Sequence, residues 1–218
     1  MRKYICELIG TFFLVFAGTG AIIANDVFGG SIGHVGISLS FGLVVMAVIY
    51  SVGETSGAHI NPAVTLGFFC LNRLSGKDTG LYILSQSIGA ILASLFLYSI
   101  YPSHPTLGLT SPSISILGTF IYEYLLSFLL MFVILSVATG AKEKGLMAGV
   151  AIGGTVALEA LFAGPVTGAS MNPARSLGPA LMTGQLSHLW IYISAPILGA
   201  ISAVPGCRFL HIHGCCDK

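Results

Sequence analysis

Ser56-Gly-Ala-His-Ile-Asn-Pro-Ala-Val-Thr-Leu-Gly-Phe68 returns 111 positions later as Thr167-Gly-Ala-Ser-Met-Asn-Pro-Ala-Arg-Ser-Leu-Gly-Pro179. Seven of the thirteen positions are identical, and the pairs Ser56/Thr167 and Thr65/Ser176 keep a hydroxyl. One position gains a charge, Val64 against Arg175. A duplicated element with a single added cation predicts a symmetric scaffold with one functional asymmetry.

The surrounding chain is 55% apolar and 8% charged, where a soluble domain carries about a quarter charged residues. A bilayer-crossing helix needs roughly 20 apolar residues. Six stretches qualify: Tyr4–Ala24, Val35–Gly53, Leu81–Ile100, Ile116–Ala138, Leu146–Phe162 and His188–Phe209, the fifth being the shortest. The Arg2-Lys3 start suits a signal peptide, but the apolar run is too long and Glu7 interrupts it, so the first span is expected to be retained. The predicted fold class is an all-α, multi-pass membrane protein.

Nine cations give the expected orientation: Arg2, Lys3, Arg73, Lys77, Lys142, Lys144, Arg175, Arg208 and Lys218. All except Arg175 fall at the termini or in connections on one side, which the positive-inside rule makes cytoplasmic. The opposite connections, Asn25–His34 and Tyr101–Ser115, hold no Lys or Arg. None of Cys6, Cys70, Cys207, Cys215 and Cys216 lies in those outer connections, so a disulfide framework is not expected.

The repeat extends beyond the central segments. Glu7…Thr11-Phe12 echoes Glu123…Ser127-Phe128, and Ile88-Gly89-Ala90 echoes Leu198-Gly199-Ala200. Each half is therefore predicted to hold three spans with a special segment between its second and third. The boundaries are 1–105 and 113–209, within one domain over 1–218 that ends in a cytoplasmic tail, 210–218. Three spans per half invert the second half, and inverted repeats place their site at the repeat interface near the midplane. Asn is a strong N-cap and Pro favours the first helical turn, so Asn61-Pro62 and Asn172-Pro173 are predicted to open half-helices of about ten residues. The preceding Gly53–Ile60 and Gly164–Met171 are predicted to be extended, and such backbone survives at membrane depth only within protein or beside a wet cavity.

The paired Asn61-Pro62-Ala63 and Asn172-Pro173-Ala174 motifs, the inverted halves and Arg175 resemble the aquaporin, or major intrinsic protein, family over nearly the whole chain. The stretch Ala163–Ala180, with Ser176, Ala180 and Tyr192-Ile193, is most similar to its nodulin-like branch and bacterial relatives. Glycerol facilitators typically have Asp where Ser176 stands. The resemblance implies a passive channel in the cell membrane, a homotetramer, no cofactor and no catalytic residues. Small neutral solutes, water and the lipid bilayer are the implied partners; nucleic acid is not. Asn61 and Asn172 would cap their helices and donate to a solute, while opposed helix dipoles repel cations, aquaporins being the familiar case of that exclusion.

The same resemblance places a selectivity filter at Phe41, Ala160, Ala169 and Arg175, counted from the motifs. Water-selective members usually carry His where Ala160 stands, so the implied passage is wider and favours metalloid hydroxides and small polyols over water alone. Phe41 departs from the branch's usual choice, and packing is its alternative reading. Arg175 could instead pair with Glu159 or snorkel. Glu159 itself reads as that partner or as a vestibule carboxylate. Glu7 and Glu123 are expected to accept loop N–H groups left outside helices. Glu54, placed in the first re-entrant segment, could brace the loop or touch a gate, and the His59 ring is expected to pack while its carbonyl lines the pore. His211, His213, Cys215 and Cys216 are weak metal-ligand candidates. The alternatives to this channel are a water-selective one, a proton-coupled transporter working through Glu159 or Glu54, and a non-conducting scaffold.

Overall fold

The computed structural model of the chain describes residues 1–138 and 146–210. Eight helices are found among them: α1 (Arg2–Val27), α2 (Gly33–Ser56), α3 (Pro62–Cys70), α4 (Gly76–Ile100), α5 (Ile116–Ala138), α6 (Ala148–Thr167), α7 (Pro173–Thr183) and α8 (Leu189–Leu210). All but α3 and α7 are long and apolar enough to cross a membrane. This is an all-helical, multi-pass membrane fold. Large side chains such as Phe13, Leu43, Leu92, Leu125, Leu158 and Trp190 stand exposed on the long helices, the pattern of a surface that lipid solvates.

The halves interlock. Helix α1 packs on α4 as α5 packs on α8, and α2 crosses α6 between them. Each short helix then docks chiefly on the other half's closing helix, α3 on α8 and α7 on α4. Small residues permit this. A Cβ on Gly89 would strike the Leu8 carbonyl, one on Gly199 the Tyr124 carbonyl, and one on Gly42 the Gly153 carbonyl. With no hydrophobic drive between helices in lipid, such backbone approach is a main source of packing energy.

The stretches ahead of the short helices differ from the sequence expectation. Helix α2 continues to Ser56 and α6 to Thr167, so only 57–60 and 168–171 leave helical geometry. Glu54 accordingly sits in the last turn of α2, not in a loop. Each helix ends on a left-handed glycine, Gly57 at φ 85° and Gly168 at φ 88°, whose N–H returns to the carbonyl of Gly53 or Gly164. The apolar window closes at Phe162 because it does not count Gly164 and Pro165, yet Pro165 is carried inside α6. Proline offers no N–H to the Leu161 carbonyl, and the His34 ring takes that carbonyl at 2.6 Å. The segments are not plainly extended either. Ala58, Ile60, Ala169 and Met171 all have φ between 41° and 54°. Non-glycine residues held there cost about 1–3 kcal/mol each and persist only when their surroundings fix them.

Candidate functional site

Those surroundings are two buried carboxylates. Glu7 on α1 accepts from the backbone N–H groups of His59 (3.0 Å) and Ile60 (2.6 Å) and from the Gln86 amide (2.8 Å). Glu123 on α5 accepts from the N–H groups of Ser170 and Met171, both at 2.9 Å, and from the Thr167 hydroxyl at 2.7 Å. Both carboxylates are 0% exposed. The conserved-hydroxyl pair Ser56/Thr167 has one task in each half. Its Oγ accepts from the N–H of Ala58 or Ala169, each at 3.1 Å, while its carbonyl accepts from Tyr82 at 2.8 Å or Tyr192 at 2.6 Å.

Held this way, the two loops meet at their asparagines. Asn61 Oδ1 accepts from Ala63 N–H, and Asn172 Oδ1 from the N–H groups of Ala174 and Arg175, so both cap their helices. Each Nδ2 then crosses to the other loop, Asn61 donating to Met171 O and Asn172 to Ile60 O, both at 2.8 Å. A primary amide has two N–H donors. One from each asparagine is thereby used, and both residues line a cavity of about 440 Å³, to which the second can be offered.

That cavity has a mouth beside Tyr50, Glu54 and Leu146, apolar walls including Val45, Ile49, Ile134 and Ile152, and a far end at Phe41 and Arg175. Glu54 is exposed at the mouth. Arg175, 2% exposed, lies with its guanidinium carbon 5.1 Å from the Phe41 ring centre. Its Nη1 donates to the Gly108 carbonyl at 2.7 Å, and its Nε has no hydrogen-bond partner among the described residues. Ala169 lines the cavity; Ala160 is buried but is not among its lining residues.

Two open choices resolve here. Arg175 makes no ion pair with Glu159: its Nη1 goes to the Gly108 carbonyl, and both Glu159 carboxylate oxygens are without a hydrogen-bond partner among the described residues. Glu159 is 0% exposed and outside the cavity lining. The His59 ring stacks on Phe68 at 4.5 Å and reaches Thr65 through Nδ1 at 3.2 Å. The tail candidates His211, His213, Cys215 and Cys216 lie outside the described residues, as do Lys142 and Lys144.

Sequence reading missed Gly108, the acceptor for Arg175, because a backbone carbonyl in an unrepeated loop carries no signature. Gln86 and Tyr82 were also missed. Tyr82 was within reach, since Tyr192 follows it by 110 positions, close to the repeat spacing.

With this geometry in place, likeness to known proteins decides the family. Residues 1–205 match the Major intrinsic protein family. The chain belongs to it. Aquaporin NIP1-2 of Oryza sativa subsp. japonica is 43% identical over 205 residues, covering 90% of this chain and 67% of that protein. Nodulin-26 of Glycine max is 42% identical over 203 residues, covering 93% of this chain and 75% of that one. The X-ray structure of the aquaglyceroporin from Plasmodium falciparum superposes with a TM-score of 0.80 at 28% identity, covering 95% of this chain and 94% of that one. The protein is a nodulin-like member of this family, a channel for water and small solutes and not an enzyme.

Proposed function

We propose that the chain is a passive pore for small uncharged solutes larger than water, namely metalloid hydroxides such as arsenous, boric or silicic acid and small polyols such as glycerol, with some water. The observation that carries this is the pair of asparagines. Each spends one amide N–H on the other's loop and has a second to offer at the cavity wall, so a solute oxygen passing between them meets two donors. The short helices start at the same point, and their aligned N-termini make it positive, which opposes protons and cations.

Arg175 adds a guanidinium to the cavity lining beside Phe41 and Ala169, and the family resemblance adds Ala160 to that filter, although it is buried outside the lining. Ala169 leaves room in that lining for hydroxyl-rich solutes, with Phe41 as the bulky wall. The likeness to an aquaglyceroporin supports the larger-solute reading over strict water selectivity. Glu7 and Glu123 brace the loops. A proton-coupled transporter would need a carboxylate in the path, and Glu54 at the mouth is the acid among the described lining residues. The pore is one domain of two inverted repeats, 1–105 and 113–209, set in the cell membrane with both termini cytoplasmic and assembled as a homotetramer with a pore in each subunit.

Proteoliposome light scattering with water, glycerol, urea and boric acid, joined by arsenite uptake, tests the proposal. Passage of the larger solutes supports it, and their exclusion while water flows would reverse the substrate. Ala160→His is expected to reduce glycerol and boric acid flow by about tenfold, the scale of a ~1.4 kcal/mol barrier, and water flow by less.

A further inference from the structure

The ring of Phe41 is seated in a recess of α1. The recess is Gly18, which lies against one edge of the ring and outside the cavity lining. A Cβ there would fall on Cε1 of Phe41 and stand 2.5 Å from both Cδ1 and Cζ. Apolar carbons rest about 3.5–4 Å apart, so a single methyl would displace that edge by about 1 Å or more.

The ring, not the backbone, has to yield. Helix α2 is pinned at this level on α6, where a Cβ on Gly42 would strike the Gly153 carbonyl. Phe41 is buried in the core with Leu14 and Val45, and the open space it borders is the cavity. The Arg175 guanidinium lies over its face, with Nη1 bound to the Gly108 carbonyl. Pushed off α1, the ring therefore moves into the passage beside the guanidinium. The repeat carries its own comparison. Gly18 stands eleven residues after Glu7, and Ile134 eleven after Glu123; Phe41 stands fifteen before Ser56, and Ile152 fifteen before Thr167. Ile134 and Ile152 line the cavity as Phe41 does. Where α5 supplies a branched side chain, α6 carries one smaller than phenylalanine; where α1 supplies none, α2 carries the ring.

We propose that Gly18 is a specificity-determining residue of the pore, whose missing side chain seats Phe41 and so sets the width left beside Arg175. It touches no solute and acts through the ring, as a positioning residue. Alanine is a better helix former than glycine, so a methyl at this place does not weaken α1 itself. Its effect is steric and directed at Phe41. A narrowing of about 1 Å at the filter bears hardest on the widest permeant, so glycerol and boric acid are obstructed before water is.

The inference rests on the pore reading above and is tested on the intact protein in proteoliposomes, with glycerol, boric acid and water flow measured side by side. Gly18→Ala is expected to lower glycerol and boric acid flow about tenfold and water flow by less than about twofold, the scale on which one methylene discriminates in a tight site. Leucine lacks the ring edge that the methyl strikes. On a Phe41→Leu background, the same Gly18→Ala change is therefore expected to alter glycerol flow by less than about twofold. An unchanged glycerol-to-water ratio in Gly18→Ala would overturn the inference alone, as would an equal loss on both backgrounds. Should Gly18→Ala by itself yield no folded protein, a folded and conducting double variant supports the inference, and a double variant that also fails overturns it. Wild-type protein that passes water and excludes glycerol would overturn the substrate reading only. The inference is then read on water flow, which Gly18→Ala must lower on the wild-type background and not on the Phe41→Leu one. Wild-type protein passing no solute would overturn the pore reading and this inference with it.

Discussion

In the first half of the molecule, Glu7, Gln86, Thr65 and His59 form a closed ring of hydrogen bonds beneath the loop at 57–60. In the second half, Glu123 takes the matching loop amides, but the network runs outward. Thr110 donates to Ser176 at 2.7 Å, Ser176 lies 2.6 Å from Ser170, and Ser170 donates to Asn172 O. Arg175 reaches Gly108 in the same connection. One repeat thus closes its polar groups on themselves, while the other opens them to an unrepeated loop. Duplication supplied two identical braces, and the asymmetry entered where the copy could recruit a segment with no counterpart.

The largest expected effect comes from removing either brace. Glu7→Ala and Glu123→Ala each leave two buried backbone donors and a side-chain donor without their acceptor, at about 1–3 kcal/mol apiece. Both are expected to lower the thermal midpoint of detergent-solubilised protein steeply and to similar extents. If one is tolerated, the two halves are not braced alike.

A middle-sized effect tests the helix crossings. Gly89→Ala and Gly199→Ala drive a methyl into the Leu8 or Tyr124 carbonyl, and overpacking of this kind costs about 1–3 kcal/mol. Matched losses in thermal stability would uphold the equivalence; a loss in one half only would break it.

The smallest effect sharpens the difference. Thr65→Val and Ser176→Ala each remove a buried hydroxyl, with a net cost of about 0.5–1.5 kcal/mol. Ser176→Ala is also expected to change the ratio of glycerol to water flow, since it frees Thr110 beside the filter. Thr65→Val is expected to leave that ratio alone. Equal shifts in the ratio would deny the outward network its role.

Much of the fold was legible because its signals are local or repeated. Six apolar runs needed only hydropathy, and the helix starts at Pro62 and Pro173 needed only cap chemistry. The ends of α2 and α6 were placed too early, because Pro165 and the glycines around it look like loop until a neighbour such as His34 fills the missing contact. Glu159 shows the same limit. Its closeness to the filter in sequence suggested an Arg175 partner, yet Arg175 reaches a backbone carbonyl 67 positions away.

The order of amino acids determined the solvent, the number of spans, the duplication and the odd cation, because each is written in composition, periodicity or self-similarity. Only the tertiary structure decided that each asparagine reaches into the other's loop, that α3 and α7 dock on opposite halves, and that Arg175 hangs from Gly108. Those contacts join residues far apart in the chain, and a buried donor chooses among all the acceptors that folding brings near it.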